Sequence, residues 1–460
     1  MKKTLVSLAA VAALTTGAMA ADKGIDFTTT GQAVVYYNTL GNNSNGNVDL
    51  FEDDGKNTKA SYGIQLNLDA DLKNGFTFGS TLNYLGTLGL EKNLVGATMQ
   101  NTNDGLAENN IADDIYLAQI YIAKKMGNTT LKLGRQELPK SLSPFAYSEG
   151  WNVFKNTFDA MLVVNTDIPD TAVVGAYVAK GNGNGFGNNM SSFGDLETTV
   201  GDIKGEAYML TIQNKSIPMT TLTASYYSLA KVAASDNTDA SYSLNPNTGV
   251  IELNPATVGS AGVHADIFWL DASVAGKDMP LGLKFGVQGG QIKPDSTLNN
   301  KAGVKLADVT DTTAYGVKVG LAPLDGLSFC LAYTSVDGDD NKANVAIKNT
   351  TGVKTPLYTQ MIANQNAIAL DSNTIMLKAA YNTGDYGKII AQYGATAGGK
   401  SSLVRNNSKD TDFGEFDLIY KVKAANINWL AAWVNQSWSE KGAHDKDSQD
   451  ILRLVARYNF

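Results

Sequence analysis

Basic side chains recur in this chain at alternate positions of apolar segments. Lys284, with Gln288, stands between Leu281, Leu283, Phe285 and Val287. Lys318 stands among Tyr315, Val317, Val319 and Leu321, and Lys378 among Ile375, Leu377, Ala379 and Tyr381. Lys421 and Lys423, with Asp417, alternate with Phe416, Leu418, Tyr420 and Val422. Lys132 lies between Leu131 and Leu133, and Arg453 and Arg457 alternate with Leu452, Leu454 and Ala456. A strand has period two, so each segment carries its charge on one face and its apolar residues on the other. At about 3.3 Å per residue, Arg453 and Arg457 stand ~13 Å apart along one wall. Such a set does no acid–base or nucleophilic work. Its chemistry is the field inside an aqueous passage. Two readings stay open: a ladder that hands anions along, or cations that only solvate the interior and neutralise Asp69, Asp71, Asp159, Glu415 and Asp417.

The elements that hold these residues are strands with one face for hydrocarbon. The clearest is Tyr62–Leu72, where Tyr62, Ile64, Leu66, Leu68, Ala70 and Leu72 oppose Gln65, Asn67, Asp69 and Asp71. Lys73-Asn74-Gly75 follows as a hairpin turn. The same strand–turn–strand unit recurs along the chain. The closing segment, Ile451–Phe460, ends its apolar face in Tyr458 and Phe460. A charge on a lipid-facing strand costs about 2–4 kcal/mol at the bilayer midplane, so the charged faces turn inward. The fold expected is an all-β transmembrane antiparallel barrel of 18 strands, with 16 as the competitor, both even numbers. Short turns lie at one rim. Long polar loops rich in Gly, Asn, Asp and Ser lie at the other, among them Leu88–Ala112, Glu137–Thr157 and Asp337–Ser372.

Composition agrees. Charged residues are 18% of the chain, glycines number 45, tyrosines 20 and prolines 10. Lys2 and Lys3, an apolar stretch from Leu5 to Leu14, and Ala18-Met19-Ala20 form a three-part secretory signal, with cleavage expected between Ala20 and Ala21. A single barrel domain would then span residues 21–460. The one cysteine, Cys330, forbids an intrachain disulfide, and a net charge of −8 gives no sign of nucleic-acid binding. No cofactor is expected. Asp337-Gly-Asp-Asp-Asn341 resembles the start of a calcium loop but has Lys348 where a closing glutamate belongs, so calcium between loop carboxylates is only a lesser reading. Gly181–Gly187 lacks the lysine and helix of a phosphate loop. A barrel enzyme would need His264 or His444 beside a nucleophile. His264 shares parity with Asp266, is expected to face inward, and has no evident serine partner in sequence.

Leu131-Lys-Leu-Gly-Arg-Gln136, Phe154-Lys-Asn-Thr-Phe-Asp-Ala160 and Asn165-Thr-Asp-Ile-Pro-Asp-Thr171 resemble the OprD-like substrate channels and the related major outer membrane protein porins. The resemblance is specific over roughly Leu131 to Gly181. It implies an 18-stranded porin of the cell outer membrane, a homotrimer inserted by the barrel-assembly machinery, that admits ions and small hydrophilic solutes. A surface-structural or adhesive barrel is the alternative. In such families the third outer loop enters the lumen. Here that loop, 137–157, carries Lys140, Tyr147, Glu149, Trp151 and Lys155, with Glu149 and Lys155 expected at the narrowest point. No arginine follows Ser143 or Ser148, where such loops often carry one, so the family's substrate-binding residues do not transfer. Strict alternation turns Arg135 outward, to a subunit interface or headgroups, unless a bulge turns it in.

Overall fold

The computed structural model describes residues 25–43, 48–51, 58–86, 113–182, 193–195, 206–234, 241–244, 251–254, 261–276, 278–349, 354–400, 403, 410–442 and 446–460. The signal segment, and the loop that follows Gly86, lie outside them.

Eighteen antiparallel strands close into a barrel. They are β1 Asp26–Asn42, β2 Thr58–Lys73, β3 Phe76–Gly86, β4 Asp113–Met126, β5 Thr129–Gln136 and β6 Phe158–Asn165. Then come β7 Thr171–Asn182, β8 Ala207–Asn214, β9 Thr220–Ala234, β10 Ala261–Ala275, β11 Lys284–Pro294 and β12 Thr312–Leu324. The last are β13 Leu327–Val336, β14 Ser372–Asn382, β15 Lys388–Gly398, β16 Thr411–Ala424, β17 Ile427–Glu440 and β18 Asp447–Asn459. Each strand pairs with the next, and β1 pairs with β18 from Gln32↔Asn459 to Asn42↔Gln449. A short strand, Phe193–Asp195, adds to the upper end of β7. Among the described residues no helix is long and apolar enough to cross a membrane; that does not bear on crossing by strands.

The alternation in sequence becomes two surfaces. On β14, Thr374, Met376 and Ala380 are buried inside, while Ile375, Leu377 and Tyr381 are about half exposed outside. Leu270, Val317, Leu331 and Leu454 continue that apolar exterior. Outward aromatic pairs, Tyr177–Tyr208, Tyr226–Phe268 and Tyr315–Tyr333, sit toward the long-loop rim. Such girdles mark the membrane interface. Short turns close the other rim: Lys73, Asn74 and Gly75 all have positive φ, as do Ala425 and Asn426, the backbone a tight hairpin demands.

Bulges interrupt the pattern in β4 and β7. Registers shift between Thr81 and Leu82 against β4, and between Asp159 and Ala160 against β7. Gly134 has φ 119, a conformation that side chains resist. Arg135 still points outward there, but it is not free. It makes two hydrogen bonds to Asp159, at 2.7 and 3.2 Å, donates to the Leu117 carbonyl at 2.9 Å, and lies 3.3 Å under the Phe193 ring. Asp159 therefore sits on the outer face and does not belong to the lumen charges. The pair is only 21% and 30% exposed. Replacing Arg135 with alanine should cost about 1–3 kcal/mol by stranding that carboxylate, less any screening by solvent. The expected result is a lower heat-modification midpoint on gels, with lysine at 135 falling between because it lacks the two-pronged geometry.

Candidate functional site

The register places Lys132, Lys284, Lys318, Lys378, Lys421, Arg453 and Arg457 on the inner face, with Asp69, Asp71 and Asp417. They do not form one continuous ladder. Lys132 stands 3.6 Å over the Tyr121 ring, and Asp69 lies 3.5 Å from the Tyr121 hydroxyl. Asp71 is at the short-turn rim, 3.7 Å from Lys73, and accepts that residue's backbone N–H at 2.8 Å. Lys284, opposite Gly320, is exposed low on another wall.

The dense basic sector is on β15, β16 and β18. Lys388 is directly opposite Lys421 in the register. Like charges in such pairs repel, so this placement weakens the sheet locally. Lys388, Lys421, Lys423, Arg453 and Arg457 line one vestibule of about 470 Å³. Trp151 of the third loop forms its roof, with Arg453 5.8 Å and Lys421 6.0 Å from the ring centre. Lys388 is absent from the sequence-based set because it begins its strand beside a turn.

The third loop does enter the barrel. Phe145 packs edge-on against Tyr227 and Trp269 with ring centres 5.7 and 5.3 Å away, and its N–H donates to the Tyr227 hydroxyl. Val153 and Phe154 are buried against Val34, Tyr36, Leu85 and Tyr116 on the opposite wall. Burial of each such side chain is worth roughly 1.5–3 kcal/mol. Arg453 donates to the Trp151 carbonyl at 3.5 Å and Arg457 to the Val153 carbonyl at 3.1 Å. These two arginines thus hold the loop as well as charging the wall.

Glu149 and Lys155 are not partners in a constriction. Glu149 is 4% exposed and accepts the Trp151 N–H at 2.8 Å, while its own N–H donates to Asn156. Lys155 turns away to Glu137, 2.6 Å distant. The sequence does hold Lys155 in the loop, but local pairing decides its direction.

The seventh outer loop, after β13, also fills the barrel, which the sequence reading missed. Ile347, Leu357, Ala367 and Ile368 are buried against the third loop and the β10–β12 wall. Ile362 packs with Ile390, Ile419 and Val434. The signal was present: Leu357, Met361-Ile362 and Ala367–Leu370 are apolar steps in a connection that a watery rim would keep polar. The two loops are clasped. Tyr147 donates its N–H to Asn349 Oδ1 at 3.1 Å, and Asn349 Nδ2 donates to the Tyr147 carbonyl at 3.0 Å. Lys140 Nζ donates to the Thr355 carbonyl at 3.1 Å.

Asp417 lies beneath this loop, out of the water path. Both Asp417 and Glu415 are 0% exposed. Asp417 accepts the Ile362 N–H at 3.1 Å and Gln392 at 2.5 Å; Glu415 accepts the Ala363 N–H at 2.9 Å and Gln436 at 2.6 Å. Lys354, 4% exposed, donates to the Met361 carbonyl at 3.2 Å and to the Ile362 carbonyl.

The loop amines are perturbed. Burial, then repulsion from Lys354 and Lys318, pushes the Lys140 amine down to about 8, although its side chain still touches the aqueous space. Burial likewise pushes Lys354 down to about 8, against the attraction of Glu149 and Glu415. Both lose a proton well below the ordinary lysine value of 10.5. Between about 8 and 10.5 the unfolded chain would bind more protons than the barrel, so stability rises with pH across that window. Any anion preference should fall as pH passes about 8, measured as reversal potential at pH 6.5 and 9.5, and Lys140→Gln should reduce the change.

His264 and Asp266 face outward, contrary to the sequence expectation. Ile267 and Trp269 take the inner face because the third loop packs there, so both faces of β10 are apolar and the usual cue fails. Ser228 Oγ is 2.9 Å from His264 Nε2, but Asp266 lies 3.7 Å from that same nitrogen. A relay would need the carboxylate on the other ring nitrogen. Asp340 pairs with Lys400 at 3.5 Å, and Asp339 accepts the Asn341 N–H. Among the described residues no three His, Cys, Asp or Glu side chains gather to hold a metal. The stretch Gly181–Gly187 is described only at its first two residues, which end β7.

Closure at eighteen strands, with inward-folded loops, can be set beside known structures. Pseudomonas aeruginosa OccK8 (OprE) is 15% identical, with a TM-score of 0.64, covering 95% of this chain and 98% of that one. The fold is that of the OprD-like barrels. Acinetobacter baumannii OccAB3 is 11% identical with a TM-score of 0.64, covering 94% of this chain and 99% of that one. Pseudomonas aeruginosa OccK1 (OpdK) is 13% identical with a TM-score of 0.64, covering 95% and 98%. No family model matches the chain, and no curated protein matches it. At these identities the likeness carries the architecture, not the solute.

Proposed function

We propose that this chain is a porin of the outer membrane, passing ions and small hydrophilic solutes by passive diffusion, with anions favoured along one wall. The observation that carries this reading is the basic vestibule. Five cations line it, Lys388 and Lys421 are held face to face despite their repulsion, and no carboxylate is among its lining residues. A scaffold alone would gain from removing that repulsion. A field of one sign in a low-dielectric channel concentrates the opposite ion. The apolar exterior with aromatic pairs suits a bilayer, and the polar wall suits water.

Two further parts of the reading follow the OprD-like fold: assembly as a homotrimer, and insertion by the barrel-assembly machinery. Crosslinking of membranes from cells that make the chain tests the first. The outward Ser228–His264–Asp266 group lacks relay geometry, and His444 lies outside the described residues.

The test is a planar bilayer. Purified protein should give discrete ionic steps, and a salt gradient should give a reversal potential of the sign for anion preference. Absence of steps would remove the porin reading in favour of a surface-structural barrel. Steps with cation preference would keep the porin and discard the basic wall as its selector.

A further inference from the structure

A second recess of about 360 Å³ lies on the inner wall of β8–β10, closed above by the first arm of the third loop and by Pro356–Tyr358 of the seventh. Its lining differs in kind from the basic vestibule. Gln213, Thr221, Thr223 and Ser273 present amide and hydroxyl groups beside one carboxylate, Asp271, and the ring of Tyr358. The Tyr358 hydroxyl donates to Asp271 Oδ2 at 2.5 Å, which fixes ring and carboxylate relative to each other. The two lysines here each have one partner. Lys140 donates to the Thr355 carbonyl, and Lys318 stands 3.7 Å over the Tyr358 ring. Gln213 is held loosely, 3.4 Å from the Ser141 carbonyl and 3.3 Å from Thr223 Oγ1. Bonds that long yield to a better partner.

We infer that this recess binds neutral polyhydroxylated solutes, sugars or polyols of about one ring in size, as they cross the lumen. The inference rests on the channel reading above. A solute carboxylate entering here would meet the Asp271 carboxylate, and each lysine is already drawn to one partner. A solute ammonium would meet those lysines. A hydroxyl both donates and accepts, so it satisfies Asp271, Gln213 and the threonines in turn. Ligand sites run from roughly 300 to 1,000 Å³, and this recess lies at the small end.

Calorimetric titration of the full chain in a sugar-free detergent tests this, with glucose and sorbitol as probes and acetate and methylammonium as charged controls. Saturable binding of glucose or sorbitol is expected, with neither ion competing. Asp271→Asn, checked for folding by heat-modification, should weaken it about fivefold or more, the scale of a lost hydrogen bond. Gln213→Ala, at a loosely held position, gives a second variant should the first not fold. No saturable sugar binding by the wild type overturns the inference, as does acetate binding more tightly than glucose, or sugar binding that neither variant weakens. The two readings fail separately. Ionic steps without sugar binding remove the recess alone; sugar binding without ionic steps removes the channel and leaves the recess.

Discussion

Channels in which Glu415 and Asp417 are both alanine should conduct several times more current than the wild type, with frequent steps between levels. The two carboxyl groups accept the backbone N–H groups of Ile362 and Ala363 and so pin the seventh loop to the β16 wall. Without them two buried donors lose their partners, at about 1–3 kcal/mol each. A few kcal/mol suffices to turn a settled conformer into a minor one; about 5.5 kcal/mol reverses a 1:99 population. Lys354, buried beside the same carboxyls, would also lose its compensation. Asp417→Asn keeps an acceptor for Ile362 and should stay near the wild type. Single-channel recording decides between them, with circular dichroism confirming that the strands remain. Unchanged conductance in the double variant would mean that apolar contacts of Ile347, Leu357 and Ile368 hold the loop by themselves.

The second large effect concerns ion choice. Lys388, Lys421 and Lys423 line the vestibule without the hydrogen bonds to the third loop that Arg453 and Arg457 make. Changing all three to glutamine should reduce the anion-to-cation permeability ratio about tenfold or more at low salt. A unit charge ~8 Å from an ion contributes about 0.5 kcal/mol in water and about 2 kcal/mol at an effective dielectric constant of 20. Three such terms exceed the 1.4 kcal/mol of a tenfold change. In 1 M salt, where screening acts over about 3 Å, the difference should nearly vanish. A ratio that ignores both substitution and salt would place selection elsewhere, in the crossing loops.

The barrel was legible because hydrocarbon enforces alternation. Leu377 and Lys378 cannot exchange faces without exposing an amine to lipid, and the same holds from β2 to β18. Legibility stopped where the interior is no longer water. Trp269 and Ile267 face inward onto Phe145, so β10 is apolar on both sides and the faces of His264 and Asp266 could not be read from pattern. Asp159 was misplaced for the same reason: Phe158 and Ala160 are buried inside and Met161 is exposed outside, so β6 too is apolar on both faces. The loops were hardest. Glu149 turns to Trp151 and Lys155 to Glu137, choices made by neighbours within a turn or two. The seventh loop declared itself only through scattered apolar residues, and its contacts with the third join positions some two hundred residues apart.

The seam between β1 and β18 has a consequence for how the molecule is made. Gly31 and Phe460 exchange both backbone hydrogen bonds, at 2.7 and 3.0 Å, and the Phe460 ring occupies the space where a side chain at Gly31 would sit. Neighbouring hairpins can zip locally, but this join brings the two ends of the chain together and carries the largest loop-closure entropy of any pairing. Until it forms, both edge strands offer unpaired backbone to any passing sheet, so the nascent polypeptide is at its most aggregation-prone just before the ring shuts.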